Sequence, residues 1–390
     1  MDAVSPKSRK LLSEIPEIDE LLAPYKLVAL VLQGGGALGA YQAGVFEALH
    51  EVGIEPHWLS GVSIGAINAS IIAGNKRENQ LDRLRDFWDT VSNRKVWHYT
   101  PEGDVFRQWR NQTSAWMTMF MGLPGFFKPR EVNPWQQLAG ATGATSFYDT
   151  ADLRATLNRL IDWDILNSGE RRLSVGAVNV RTGNFRYFDS AIEKIEPEHI
   201  MASGALPPAF PSIKIENEYY WDGGIVSNTP LQYLLELEDV RDSLVFQVDL
   251  FSARGELPRD MAGVMGRHKD IMYSSRTRNN TDAFRRIHNL RLKLRDAILR
   301  VPEDQRSDSD RALLESMEDV PQINIVHLIY QQKSYEGHAK DYEFSGTSMH
   351  EHWSSGYEDT KKTLRHRKWL EIPPEDIGMV VHDVHRDDPS

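Results

Sequence analysis

The stretch "KLVALVLQGGGALGAYQAGVFEALHEV", residues 26–52, joins three patterns in one run. Residues 27–32, LVALVL, are an unbroken apolar run ended by glycines, which predicts a strand buried on both faces of a parallel sheet. After the glycines, Tyr41, Val45, Ala48 and Val52 recur at spacings of four, three and four, the stripe of an amphipathic helix. Strand, glycine loop and helix therefore follow in that order. A loop in this context holds either a phosphate or an oxyanion, and the rest of the chain has to decide between them.

Gly34, Gly36 and Gly39 satisfy G-x-G-x-x-G, and the predicted strand and helix around them are what a dinucleotide site requires. That reading also wants an acidic residue about 20 positions on, to take the ribose hydroxyls. The chain there reads Leu59, Ser60, Gly61, Val62, Ser63. What stands in place of the acid is G-x-S-x-G, with Ser63 flanked by Gly61 and Gly65, a pattern that sets a serine on a tight strand-to-helix turn. "HWLSGVSIG" at 57–65 passes into the small-residue helix "AINASIIAG", closed by Gly74, and this second strand-helix unit predicts a parallel sheet. On the loop alone a nucleotide-binding protein remains an alternative.

A nucleophilic serine needs donors for the oxyanion, and Gly34, Gly35 and Gly36 offer backbone N–H groups without side-chain obstruction. It also needs a base. Asp222, followed by Gly223 and Gly224, sits in a tight sequence that lets a carboxylate approach another backbone, although an ordinary D-G turn reads the same way. His327, in "INIVHLIY", follows Asp222 in the order Ser, acid, His and so keeps a triad esterase as a further alternative.

The three motifs together, at 34–39, 61–65 and 222–224, resemble the patatin-like phospholipase family, and "ASGALPPAFPSIKIENEYYWDGG" at 202–224 is similar to that family's approach to its aspartate. The resemblance covers roughly residues 27–232. It implies an α/β three-layer sandwich with a mainly parallel central sheet. It also implies a Ser-Asp dyad in which Ser63 is the nucleophile, Asp222 the general base and the 34–36 loop the oxyanion hole. No cofactor and no metal are implied, and the expected substrate is a lipid or acyl ester. Where many members carry Arg or Lys before the last glycine of the loop, this chain has Leu38. The expected organisation is an N-terminal extension at 1–25, a catalytic domain at 26–250 with an insertion near 101–145, and a C-terminal helical extension at 251–390 packing on it.

The remaining features set bounds. A chain of 390 residues is long enough for one large α/β domain with additions, and 41% hydrophobic with 26% charged residues is the composition of a folded protein. The formal charge of -11 excludes whole-protein attraction to nucleic acid, whose nonspecific affinity comes from cations on phosphates. With no cysteine there are no disulfides and no thiol nucleophiles. The first residues lack a signal-peptide core, and no window approaches the roughly 18 apolar residues of a membrane span, so the expectation is a soluble, cytoplasmic protein with peripheral membrane contact as an option.

Two segments stand out against that background. "WMTMFMGLPGFF", Trp116 to Phe127, reads either as a lid, acyl channel or membrane-touching loop, or as a packed satellite core. Residues 266–300 hold ten Lys or Arg against three Asp, a local +7 that leaves -18 for the rest, and read as a solvated helix face or as a patch for anionic head groups. His382, Asp383 and His385 read as part of a solvated tail rather than a metal site. Further strands are expected at 172–180, 184–189, 243–251 and 323–330.

Overall fold

The structure, a computed structural model, describes residues 18–92, 104–236, 242–317, 320–333, 336–337, 339–374 and 377–383. Its centre is a nine-stranded sheet built from β1 (Leu27–Leu32), β2 (Trp58–Gly61), β5 (Arg172–Asn179), β6 (Phe185–Asp189), β7 (Ile213–Ile215), β8 (Glu218–Asp222), β9 (Ser243–Asp249), β10 (Ile323–Ile329) and β11 (Met379–Asp383). The short strands β3 (Lys128–Pro129) and β4 (Tyr148–Asp149) form a separate antiparallel pair. The order across the sheet is β11-β10-β9-β1-β2-β5-β8-β7, with β6 also pairing β5. From β11 to β5 every pairing is parallel, and β6, β7 and β8 add an antiparallel edge.

Residues of β1 alternate between two cores, which explains its unbroken apolar run. Val28, Leu30 and Leu32 belong to the larger core, and Ala29 and Val31 to a smaller one on the opposite face, so the strand is covered on both sides. The helices that matter below are α1 (Gly39–Glu51), α2 (Ile64–Ala73), α3 (Asp104–Met121), α4 (Pro197–Ser203), α5 (Met261–Leu299) and α6 (Gly346–Leu364). The result is an α/β sandwich with helices on both faces of a mostly parallel sheet. Successive strands run outward from β1 in one direction through β2 and β5, and return on its other side as β9, β10 and β11. The crevice beyond the carboxyl ends of β1 and β9 is therefore a topological switch point, where open α/β sheets place their ligands.

The strands expected at 172–180, 184–189, 243–251 and 323–330 form as β5, β6, β9 and β10. Three differences have physical reasons. Segment 251–390, expected as a helical extension with the one strand at 323–330, also supplies β11, because Met379 joins Ile323 and Ile325 in the smaller core. The first two residues of "HDVHRDDPS", expected as a solvated tail, belong to β11, since His382 and Asp383 pair with Val326 and His327, whereas 384–390, His385 included, lie outside the described residues. The insertion near 101–145 contains the helix α3, followed by a turn in which Leu123 and Phe127 pair across an isolated bridge. The C-terminal part is tied to the rest where α6 crosses α1. A Cβ on Gly44 would collide with the Trp353 carbonyl, and one on Gly356 with that of Tyr41, so the two backbones meet with no side chain between them.

Candidate active site

Ser63 stands in the turn from β2 into α2 with φ 56 and ψ -124, a positive-φ conformation that costs a non-glycine residue roughly 1–3 kcal/mol. Neighbouring bonds hold it there. The Ser63 N–H donates to Ser203 Oγ at 3.0 Å, and that hydroxyl donates to the Gly176 carbonyl at 2.7 Å. The Ser63 carbonyl accepts from Ala66 and Ile67 in the first turn of α2. The two motif glycines have steric causes. A Cβ on Gly61 would run into the backbone of Gly65, and one on Gly65 into the Leu32 carbonyl at the end of β1.

Asp222 closes β8, and its N–H is bound by the Ala205 carbonyl at 3.0 Å. Only 2% of the residue is exposed. Its carboxylate accepts the Gly224 N–H at 2.7 Å, and the Ser63 hydroxyl lies near enough to favour its charged form. Burial pushes its pKa up to about 6 against these two neighbours, which pull it down. The structure thus brings the two sequence-predicted side chains together, and a carboxyl poised near neutrality is suited to proton transfer.

The glycine loop is fastened from two directions. Asn228 clamps Gly34 reciprocally: its carbonyl takes the Gly34 N–H at 3.2 Å, and its Nδ2 donates to the Gly34 carbonyl at 2.9 Å. Gln33 ties the loop to the end of β9, accepting from Leu250 N at 2.5 Å and Phe251 N at 3.1 Å, and donating to Thr229 Oγ1 at 3.0 Å. Of the three expected oxyanion donors, Gly34 is therefore already engaged. The N–H groups of Gly35 and Gly36 have no hydrogen-bond partner among the described residues. Gly36 has φ +55, and a Cβ there would overlap the Asp341 carbonyl. Gly39, Gly223 and Gly224 each pack too closely against neighbours to take an unhindered Cβ.

A cavity of about 340 Å³ opens over Ser63 and Asp222. The β3–β4 region lines it with Phe126, Phe127 and Tyr148, and Phe210 lies against all three, with ring centroids 5.1–6.0 Å apart. Thr118 and Met119 of α3 form another part of the wall. The opposite side comes from beyond residue 250: Phe251, Tyr273, Asp341, Tyr342 and Phe344. Asp341 is anchored by Lys269 Nζ at 2.7 Å, and next to it Lys340 Nζ reaches Asp270 at 2.7 Å, so two ion pairs lock this wall to α5. Burial pushes the Asp341 carboxyl up, opposed by Lys269. Burial also pushes the Tyr273 hydroxyl up to about 12, with the Asp222 and Asp341 charges adding to the shift.

The structure does not bring His327 to this cavity. Its Nε2 pairs with Asp249 at 2.7 Å and neighbours Gln247 at 3.2 Å, within the polar ends of β9 and β10. No group of three or more metal-ligating side chains occurs among the described residues. Ser203, Gln33 and Asn228 escaped the sequence reading. The last two are adjacent to its motifs, in "QGGG" and "DGGIVSNTP", and a polar residue set between apolar and glycine runs was the available signal.

A serine elbow at the switch point of a parallel sheet, with a buried carboxylate on the serine hydroxyl, defines an α/β fold of the acyl-hydrolase kind. The sequence model of the patatin-like phospholipase family matches residues 30–235, and a second model, described as Patatin phospholipase, matches 271–376. The first match covers just over half of the 390 residues, and the chain belongs to the patatin-like phospholipase family. Triacylglycerol lipase ptl3 of Schizosaccharomyces pombe is 39% identical over 74 residues, which is 19% of this chain and 15% of that protein. Patatin-like phospholipase domain-containing protein 7 of Rattus norvegicus is 43% identical over 58 residues, 15% of this chain and 4% of that protein. The chain thus matches less than a sixth of the length of these relatives. Among solved structures, VipD from Legionella pneumophila superposes with a TM-score of 0.40 at 16% identity, over 93% of this chain and 72% of that one. Human GIVD cytosolic phospholipase A2 does so with 0.32 at 12%, over 61% and 44%.

Proposed function

We propose that the protein hydrolyses lipid esters through an acyl-serine intermediate, with Ser63 as nucleophile and Asp222 as the only side-chain base. The observation that carries this reading is the Ser63 hydroxyl beside a buried carboxylate whose pKa burial pushes up to about 6. As Oγ attacks the ester carbonyl carbon, its proton passes to Asp222, and the carbonyl electron pair moves to oxygen, opposite the Gly35 and Gly36 N–H groups. Collapse of this adduct expels the alcohol, which takes the proton from Asp222, and leaves the acyl group on Ser63. A water then gives a proton to Asp222 and attacks the acyl carbon. The fatty acid departs, and Ser63 recovers its proton.

The aromatic walls of the cavity suit an acyl chain, and the substrate class follows from them together with the family. Beside the cavity, α3 turns Trp116, Phe120 and Met121 to solvent, with the two rings stacked 5.9 Å apart, so an acyl chain would enter past an apolar rim. No helix among the described residues is long and apolar enough to cross a membrane, and the proposed mode of contact with lipid is peripheral. A fluorophosphonate probe followed by peptide mass spectrometry tests the chemistry. Labelling at Ser63 is expected, and is expected to disappear in Asp222→Asn. Ester hydrolysis that persists in Ser63→Ala would overturn the assignment.

A further inference from the structure

The helix α5 has 39 residues and is roughly 58 Å long at 1.5 Å per residue. Along its inner side Phe284 packs on the smaller core, and His288 and Leu292 press against Gly378 beside β11. A second apolar stripe faces outward. Met261, Met265, Met272, Ile287, Leu290 and Leu294 are each 40–72% exposed. At 3.6 residues per turn these six side chains fall within a sector of about 80°. Arg286 and Lys293 flank that sector on one edge and Arg291 on the other, all three exposed. The surrounding segment 266–300 holds ten Lys or Arg against three Asp in a chain whose formal charge is -11.

We propose that the outer face of α5 binds the surface of an anionic lipid bilayer. The apolar stripe would enter the head-group boundary, and Arg286, Arg291 and Lys293 would meet lipid phosphates. An apolar stripe with cationic edges is how helices lie in such an interface. Charge complementarity selects this occupant over a second copy of the chain. Two such faces paired in parallel, or antiparallel about their middle, would set cations against cations in a segment with few acids to offset them. The face also has a consequence for catalysis, and this clause alone rests on the proposed function: Tyr273 and Lys269 belong to the same helix, so a docked α5 brings the wall of the cavity to the lipid.

The test is sedimentation of the full-length Ser63→Ala protein with vesicles of phosphatidylcholine alone, or of phosphatidylcholine containing phosphatidylglycerol. Binding is expected only to the second kind. It should be lost as salt shortens the screening length from about 10 Å at 0.1 M to about 3 Å at 1 M. Arg286→Glu with Lys293→Glu should weaken binding at least about tenfold. Ile287→Asp with Leu290→Asp should abolish it. In an otherwise wild-type chain both pairs should leave the unfolding transition and short-chain ester hydrolysis unchanged, and the charge-reversal pair decides the matter if the aspartate pair does not fold. Failure to bind anionic vesicles, equal binding to both kinds, or full binding by the charge-reversed variant overturns the proposal. So does a fall in molecular mass by light scattering in the aspartate pair with vesicle binding intact, which would assign the face to a second copy. Vesicle binding together with no ester hydrolysis by the wild-type chain would instead refute the proposed function and leave this surface standing.

Discussion

Replacing Asp222 by Asn should abolish turnover and at the same time stabilise the fold at alkaline pH. The Asp222 carboxyl is fully buried, and its pKa is displaced from 3.8 to about 6. A shift of about 2 units at 1.36 kcal/mol per unit means that keeping it ionised costs the folded state about 3 kcal/mol. The sign follows from proton counting. Between pH 3.8 and about 6 the folded state holds the proton that the unfolded state has released, so stability falls as pH rises through this window and the whole penalty is present above it. Asparagine keeps the geometry: Oδ1 can accept from the Gly224 N–H, and Nδ2 can donate to Ser63 Oγ, so no polar group is orphaned. In denaturant titrations Asp222→Asn should exceed the wild type by about 3 kcal/mol at pH 8 and by only about 1 kcal/mol at pH 4.5. A variant no more stable than the wild type at pH 8, or a gain that does not change with pH, would refute the reasoning.

The same carboxyl sets the pH profile, so kcat/KM for a soluble short-chain ester should rise through a midpoint near pH 6 and stay flat above it. A midpoint above pH 7 would exclude Asp222 as the sole base. Asn228→Ala removes the side-chain half of the clamp on Gly34, leaving only the bond to the main-chain carbonyl of residue 228, and should lower kcat by roughly tenfold with KM little changed. A change confined to KM would show that the clamp does not position the oxyanion loop. His327→Ala should retain full activity, because its ring pairs with Asp249 away from the cavity; loss of turnover with the fold intact would restore a histidine to the chemistry.

The centre of the molecule was legible because its signals are local. LVALVL has to be a doubly covered strand, and a serine between glycines two residues away on each side has to be a tight turn. Asp222 was found as a motif, but the strand that carries it was not. β8 reads "EYYWD", and its place between β5 and the short edge strand β7, partly exposed, leaves no clean alternation in the sequence. The clamp by Asn228 and the support from Ser203 depend on contacts between residues 194 and 140 positions apart, which no periodicity reports. The wall formed by Asp341 and Tyr342 was invisible for a similar reason. Its placement depends on the Lys269–Asp341 and Lys340–Asp270 pairs, whose members are distant in sequence and ordinary in type.

Because one side of the cavity is supplied by Phe251, Tyr273 and residues 341–344, a growing polypeptide carries Ser63 and Asp222 long before the cavity around them can close. A ribosome that has released everything as far as Asp222 holds a serine and a carboxylate beside an open trough. The cavity is complete only once the 341–344 segment has joined it and α6 has crossed α1.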